Sequence, residues 1–170
     1  MPKSPVIEAI FKRRSIREYS QDPVDLDDLH TLVEAGVWAP SGLNNQPWRF
    51  VIIRDKKTRG QLAELTHYSH IVLAAPALIA VYLARGDMYD EVKDHQAAGA
   101  CIQNMLLAAE ALGLGAVWLG QILKNKTAVT QALEIDAEHE LMALLAIGHP
   151  AHHRQKSTRK PIDHFILKTI

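Results

Sequence analysis

The sequence has a single cysteine and no long apolar run. Because Cys101 stands alone, an intrachain disulfide and a cysteine-based zinc site are both excluded. No run of about 18 apolar residues could span a bilayer, and the N-terminus carries no apolar signal-peptide core. These absences favour a soluble, cytoplasmic protein that does not bind membranes.

Excess charge and two common nucleotide-binding motifs are also missing. The formal net charge is zero, with 19 basic and 19 acidic residues, so nothing global predicts binding to nucleic acid or to an anionic membrane. The glycines of residues 113–120, GLGAVWLG, do not fit the G-x-G-x-x-G fingerprint, and no G-x-x-x-x-G-K-[ST] loop occurs. Classical Rossmann and P-loop functions are therefore disfavoured.

Length and composition indicate one folded domain over residues 1–170. A chain of 170 residues, 48% of them apolar, can bury a substantial core. Residues 151–170, which we call the C-terminal arm, depart from this pattern. The arm ends in apolar Phe165, Ile166 and Leu167, which need to be covered by their own domain or by a partner subunit.

Hydrophobic periodicity predicts a mixed α and β chain. Helices are predicted over residues 4–14, from the N-cap Asp25 up to Pro40, and over residues 56–66, 94–112 and 124–133. Strands are predicted over residues 48–54, 76–84, 113–120 and 141–148. The near-continuous apolar run of residues 76–84 predicts a central strand that is buried on both faces. Residues 67–70 form a polar interruption, and residues 86–94 a polar surface segment of undefined structure.

A cluster of basic residues follows the first predicted helix. Three guanidinium groups and a hydroxyl fall within residues 13–17, which we call the basic stretch: Arg13, Arg14, Ser15 and Arg17. Arginine presents a planar fork of donors that fits phosphate and carboxylate groups bidentately, which favours a phosphate-binding role. Taken alone, a solvated basic helix end is the simpler interpretation, because short basic runs are common.

Residues 40–47, which we call the amide loop, concentrate polar side chains between two prolines. Ser41, Asn44, Asn45 and Gln46 all lie within this loop. Amides donate and accept hydrogen bonds, so they can bind a heterocycle edge or sugar hydroxyls. A turn-rich connector is an equally good interpretation, since Ser, Gly, Asn and Pro are all turn formers.

Histidines are frequent but scattered. The spacing of His67 and His70 could place both side chains on one face of a helix, but no acidic or cysteine partner completes a site. His152 and His153 lie in the charged arm. No metal centre is predicted.

Four segments, taken in order, resemble one known family. They are R-R-S-x-R after the first helix, A-P-S-G-x-N-N-Q-P-W after the second, a small-residue helix that leads into GLGAVWLG, and G-H-P before a basic tail. Together they resemble the short form of the nitroreductase family of FMN-dependent oxidoreductases, from about Ile7 to Pro161. The resemblance implies an α+β fold with three layers, α-β-α, around a mostly antiparallel sheet. It also implies an intertwined homodimer with an FMN at each interface and with exchanged C-terminal segments, so that the C-terminal arm covers the partner subunit.

The resemblance further implies a set of FMN-binding residues. The basic stretch and the arm would hold the phosphate and ribityl chain, the amide loop would come from the opposite subunit, and residues 117–120 would line the ring. The expected cofactor-binding residues are Arg13, Arg14, Ser15, Arg17, Pro40, Ser41, Gly42, Leu43, Asn44, Gln46, Val117, Trp118, Leu119, Gly120, Arg159 and Lys160. The Asn and Lys that longer members use after the first strand have no match here, which leaves the roles of His67 and Tyr68 open.

The implied activity is that of an FMN-dependent NAD(P)H oxidoreductase. NADH or NADPH would give hydride to flavin N5, and a nitroaromatic, quinone or similar acceptor would then use the same pocket in ping-pong fashion. No side chain is expected to act as nucleophile or acid–base group; Arg17 and the backbone of Leu119 and Gly120 would tune the flavin. The alternatives are a specialised member such as a reductive dehalogenase, and an FMN-binding or redox-sensing protein without turnover.

Overall fold

The computed structural model of the chain describes residues 4–170 and is organised around one four-stranded sheet. The strands lie in the order β1-β2-β4-β3, and every neighbouring pair is antiparallel. Their bounds are β1 (Trp48–Ile53), β2 (Ala77–Ala84), β3 (Gly115–Leu119) and β4 (His139–Gly148). Strand β2 is buried along almost its whole length, as its apolar run predicts. The prediction of an antiparallel sheet with 76–84 at its centre is confirmed.

Helices cover both faces of the sheet. Their bounds are α1 (Pro5–Lys12), α2 (Leu26–Val37), α3 (Lys56–Ala63), α4 (Ser69–Ala74), α5 (Glu91–Ala111) and α6 (Lys126–Ala132). Side chains alternate along β2: Ile79 and Val81 pack with α2 and α5, whereas Leu78 and Ala80 pack with α3, α4 and α6. One hydrophobic cluster therefore lies on each face of the sheet, between the strands and the helices that cover them. The predicted α-β-α arrangement of three layers is confirmed.

The structure differs from the predicted helices at several boundaries. The first helix ends at Lys12, two residues early, and the predicted helix over 124–133 starts with a 3₁₀ segment, Gln121–Asn125, before α6. Helix α4 begins at Ser69, within the polar interruption at 67–70, where no helix was predicted. Helix α5 begins at Glu91 because the Asp90 carboxylate caps it, accepting from the Lys93 N–H at 2.9 Å. A polar first turn shows no apolar periodicity, so the sequence placed this start three residues late.

The basic stretch lies along the free edge of β3. Ser15 forms a parallel bridge with Ala116, and the Ile16 N–H donates to the Ala116 carbonyl at 3.1 Å. Gly115 permits this approach, because a Cβ there would lie 2.6 Å from Ile16 Cγ2. The sheet edge therefore fixes the position of the residues that end α1.

Within residues 4–170, no helix combines the length and the apolar character that crossing a membrane requires.

Tyr19 fastens the segment after the basic stretch to the sheet. Its buried hydroxyl lies 2.7 Å from the Ile16 carbonyl and 3.0 Å from the Ala146 carbonyl, and burial raises the pKa of Tyr19, which keeps it a neutral donor.

We expect Tyr19→Phe to lower the free energy of unfolding by about 1–2 kcal/mol, because buried carbonyls lose their donor. Urea unfolding followed by tryptophan fluorescence measures the loss.

The matched control is Tyr68→Phe, since that ring is 42% exposed and its loss of a hydroxyl should cost almost nothing. Equal stability of the two variants would contradict the role assigned to Tyr19.

Candidate functional site

Three guanidinium groups meet at the end of α1. Arg13 is the C-cap of the helix, and its pKa is lowered by burial first and then by the neighbouring charges of Arg159 and Arg14. The C-terminal arm thus brings Arg159 close enough to the basic stretch for the two charges to repel. None of the ion pairs in the described part of the chain involves these three arginines. The cluster is therefore positive and has no ion-pair partner among the described residues; the charge of Glu110 acts on the pKa of Arg13 in the opposite direction, but less than burial and the two arginines do.

The three arginines use their donors differently. Arg14 turns Nη1 back onto the end of α1, where it donates to the carbonyls of Phe11, Lys12 and Arg13 at 2.6, 3.0 and 2.9 Å. Its Nε is buried and has no hydrogen-bond partner. Arg159 bonds only within the arm, to the Ser157 hydroxyl and to the Thr158 carbonyl at 2.8 Å. Arg14 therefore shapes the helix end, and most donors of Arg13 and Arg159 stay available.

Other predicted residues of this region lie nearby in the chain. Arg17 is exposed and donates to the Ser15 carbonyl at 3.3 Å. Lys160 is exposed and lies 2.9 Å from His164 Nε2. The structure thus brings Arg13, Arg14 and Arg159 together, and leaves Arg17 and Lys160 directed to solvent.

Strand β3 offers a ligand mainly its backbone. Val117 and Leu119 are 3% exposed, and their side chains belong to the core cluster against α3, α4 and α6. Trp118 points the other way and is 42% exposed, and Gly120 follows the strand on the surface. Of the residues predicted to line a ring, only the Trp118 indole presents a side chain to solvent.

A contact that the sequence analysis missed holds a second segment beside Gly120. The Gln121 carboxamide oxygen accepts from the Thr66 hydroxyl at 2.7 Å and from the His67 N–H at 3.0 Å. His67 and Tyr68 are therefore carried next to the end of β3. Within residues 4–170, no three His, Cys, Asp or Glu side chains come together as a metal site.

The amide loop has an unusual backbone. Leu43, Asn44 and Gln46 adopt φ values of 55°, 57° and 47°, in the left-handed region that residues with a Cβ rarely occupy. The Ser41 hydroxyl accepts from the Gln46 N–H at 3.1 Å and closes the loop. Gly42 lies directly against Tyr89, and a Cβ there would overlap the Tyr89 hydroxyl.

Asn45, which the predicted site left out, connects the amide loop to α5. Its Nδ2 donates to Asp94 Oδ1 at 2.7 Å and to the Asp87 carbonyl at 2.9 Å. Asp94 is fully buried and also accepts from the N–H groups of Tyr89 and Asp90. Burial alone would raise the pKa of Asp94, but these hydrogen bonds together with His95 outweigh it and lower the pKa below 3.8. The carboxylate is therefore charged at neutral pH.

No hydrogen bond or ion pair joins the amide loop to the basic stretch within the described part of the chain. The loop precedes β1 and the basic stretch follows the free edge of β3, and these strands are the two opposite edges of the sheet. Three inter-strand steps of roughly 4.8 Å separate the two edge strands, β1 and β3, by about 14 Å. The predicted site residues thus form two groups in one subunit rather than one.

Comparisons with known proteins identify the family. Residues 10–70 and 63–149 match the model of the nitroreductase family. The chain is 49% identical to a Desulfovibrio desulfuricans protein named for nitroreductases, whose crystal structure is a complex with FMN; the TM-score is 0.95, and 99% of each chain is covered.

Two curated relatives agree with this match. An NADH dehydrogenase of Thermus thermophilus is 31% identical and is covered over 97% of its length by 96% of this chain. An NAD(P)H-dependent FMN reductase of Bacillus subtilis is 29% identical, with 92% of this chain and 70% of the relative covered. The resemblance inferred from four short segments is confirmed along nearly the whole chain, and the chain belongs to the nitroreductase family.

Proposed function

We propose that the protein is an FMN-dependent NAD(P)H oxidoreductase that passes electrons to a nitroaromatic, quinone or similar electrophile. The relatives confirm the oxidoreductase class, the FMN cofactor and the NAD(P)H donor that the sequence predicted. The observation that carries the proposal is the group of three arginines near the end of α1, none of which has an ion-pair partner among the described residues. The identity of the acceptor rests on the resemblance alone.

The residues present fit an FMN phosphate. A phosphomonoester carries a charge of roughly −1.5 to −2 near neutral pH, and its oxygens accept hydrogen bonds from guanidinium groups. Arg13 and Arg159 offer free donors, and an anion there would stabilise the charge on Arg13, whose pKa is lowered by burial first and then by the neighbouring arginines. Arg14 and Lys160 add positive charge around them. We assign the phosphate to this corner.

The ring would lie along the end of β3. There the chain offers the backbone of residues 117–120 and the exposed Trp118 indole. When bound, FMN supplies the hydride and electron transfer that the side chains of this protein do not. A guanidinium from Arg17 near the pyrimidine edge would stabilise negative charge on the reduced flavin, and a backbone N–H near Gly120 would orient it.

A second copy of the chain would complete the site. Helices α1, α2 and α5 enclose an exposed apolar groove of about 530 Å³, lined by Val6, Trp38 and Leu107 among others. Trp38 is 81% exposed and Leu43, in the adjoining amide loop, is 86% exposed. Contiguous apolar surface of this kind marks protein interfaces. A homodimer through this face would place the amide loop of one subunit at the flavin of the other.

The C-terminal arm supports the same arrangement. Within its own chain it forms only one short 3₁₀ segment, Ile162–His164, and Leu167 and Ile170 are fully exposed. The sequence left two alternatives open for covering the apolar end of the arm. These exposures favour a partner subunit over the arm's own domain. We propose that the apolar end of the arm packs on the partner subunit, while Arg159 stays beside Arg13 at the phosphate site of its own subunit. The single domain over residues 1–170 and the cytoplasmic location stay predictions.

The activity is tested on the purified protein. We expect the absorbance of bound flavin to fall on anaerobic addition of NADH or NADPH and to return when a quinone or nitroaromatic is added. Absorbance that resists both donors would favour the flavin-binding alternative. A colourless protein that cannot be reconstituted with FMN would overturn both.

Arg13→Ala tests the phosphate assignment in an FMN titration of the flavin-free protein. Removing one partner of a desolvated charge pair costs about 2–5 kcal/mol of binding free energy. We expect FMN affinity to fall accordingly while the protein stays dimeric. The control is Arg54→Ala, which removes an exposed arginine just after β1. Equal FMN affinity of the two variants would refute the assignment of Arg13.

The dimer is tested at Trp38. We expect Trp38→Asp to weaken self-association by at least about 2 kcal/mol, or roughly thirtyfold, since tryptophans at the centre of interfaces dominate binding energy. Sedimentation velocity over a concentration series measures the change. Leu73→Asp is the control, because Leu73 is 57% exposed on α4, on the other face of the sheet. A monomeric parent protein, or a Trp38→Asp variant that associates as tightly as the parent, would contradict the proposed interface.

A further inference from the structure

The first turn of α5 contains a buried charge that the proposed chemistry does not use. Asp94 is fully buried, yet it forms no ion pair with a lysine or arginine among the described residues. Three hydrogen bonds stabilise it instead: Oδ2 accepts from the N–H groups of Tyr89 and Asp90, both at 2.9 Å, and Oδ1 accepts from Asn45 Nδ2 at 2.7 Å. A buried charge is costly unless it is hydrogen-bonded in this way, so each donor is fixed with respect to the others.

The Asn45 amide has only one possible orientation. Its two neighbours, the Asp94 carboxylate and the Asp87 carbonyl, can only accept hydrogen bonds, so the nitrogen of the amide must face both. Asn45 lies between Asn44 and Gln46, both of which have left-handed backbones. Left-handed backbone is unfavourable for residues with a Cβ and persists only where surrounding contacts enforce it. Asn45 supplies that contact from inside the loop.

The Asp94 carboxylate also positions Tyr89, which lies against the amide loop. By accepting from the Tyr89 N–H, Asp94 holds the residue whose ring lies against Gly42. Asp94 therefore holds the amide loop at two points: at Gly42, through Tyr89, and at Asn45, through a direct hydrogen bond. An amide in place of the carboxylate would keep one acceptor and turn a donor toward Asn45 Nδ2, where two donors would face each other.

We propose that Asp94 is a positioning residue for the cofactor site. Through Asn45 and the backbone of Tyr89, it holds the amide loop in the left-handed conformation in which Ser41, Gly42 and Asn44 meet FMN across the subunit interface. This inference rests on the proposed function, because it assigns the loop to FMN binding. It assigns to Asp94 no contact with the flavin and no part in hydride transfer.

The experiment is an FMN titration of the flavin-free protein, followed by quenching of FMN fluorescence. We expect Asp94→Asn to raise the Kd for FMN about tenfold or more, by analogy with metal sites, where loss of a hydrogen-bond partner behind a ligand lowers affinity by that factor. The matched control is Asp90→Asn, which removes a carboxylate from the same turn, keeps an acceptor for the Lys93 N–H at the helix cap, and does not touch Asn45. We expect its Kd to stay within about twofold of the parent value.

A double-mutant cycle separates positioning from general destabilisation. Asn45→Ala removes the Nδ2 donor from which Asp94 Oδ1 accepts, so Asp94→Asn and Asn45→Ala break the same hydrogen bond. We expect both single variants to raise the Kd for FMN, and the double variant to raise it no further than the weaker-binding single variant. Two independent losses would multiply in the double variant.

Parent-like affinity in Asp94→Asn, equal weakening in Asp90→Asn and Asp94→Asn, or a double variant whose loss of affinity is the product of the two single losses would each overturn the inference. A parent protein that binds no FMN would instead overturn the proposed function, and the inference with it. Normal FMN binding by the parent together with an unaffected Asp94→Asn variant rejects only the positioning role.

Discussion

The positive charge held at the end of α1 is the constraint on which the proposed site depends. Burial first, and then the charges of Arg159 and Arg14, disfavour the charged form of Arg13. Ser15 and Ile16 are bonded to the edge of β3, so the sheet fixes the backbone that follows Arg13. An anionic ligand would stabilise this positive charge, which is a physical reason for the chain to bind a phosphate there.

The order of the strands separates the predicted site residues of one subunit into two groups. The basic stretch and the ring-lining backbone lie at the β3 edge, whereas the amide loop leads into β1 at the opposite edge. The two central strands are covered on both faces by helices, so no ligand can bridge the edges through the sheet. The proposed symmetric dimer would solve this geometry, because a two-fold axis can bring one edge of a subunit to the other edge of its partner. The exposed groove beside Trp38 and the uncovered arm are consistent with that solution.

Sequence patterns predicted what depends on neighbours along the chain. The alternation in β1, the apolar run of β2 and the helical spacing in α2 all follow from local periodicity, and the layers follow from them. The contacts that complete the candidate site are different in kind. Asn45 and Asp94 are 49 residues apart, and Thr66 and Gln121 are 55 apart. A polar residue that meets a distant partner leaves no periodic signal, so Asn45 looked like one more turn residue and Asp94 like the start of a helix.

The buried side chains of β3 limit where specificity can reside. Since Val117 and Leu119 point into the core, a ring bound as proposed would meet backbone there, and backbone changes little from one sequence to another. The surface of this corner varies instead through Trp118 on β3 and through His67 and Tyr68, which Gln121 holds nearby. The chemistry of such a protein belongs to its cofactor. What this chain adds is the shape and charge of the surface around the flavin, so the choice of acceptor should depend on these exposed aromatic and imidazole side chains rather than on a catalytic side chain.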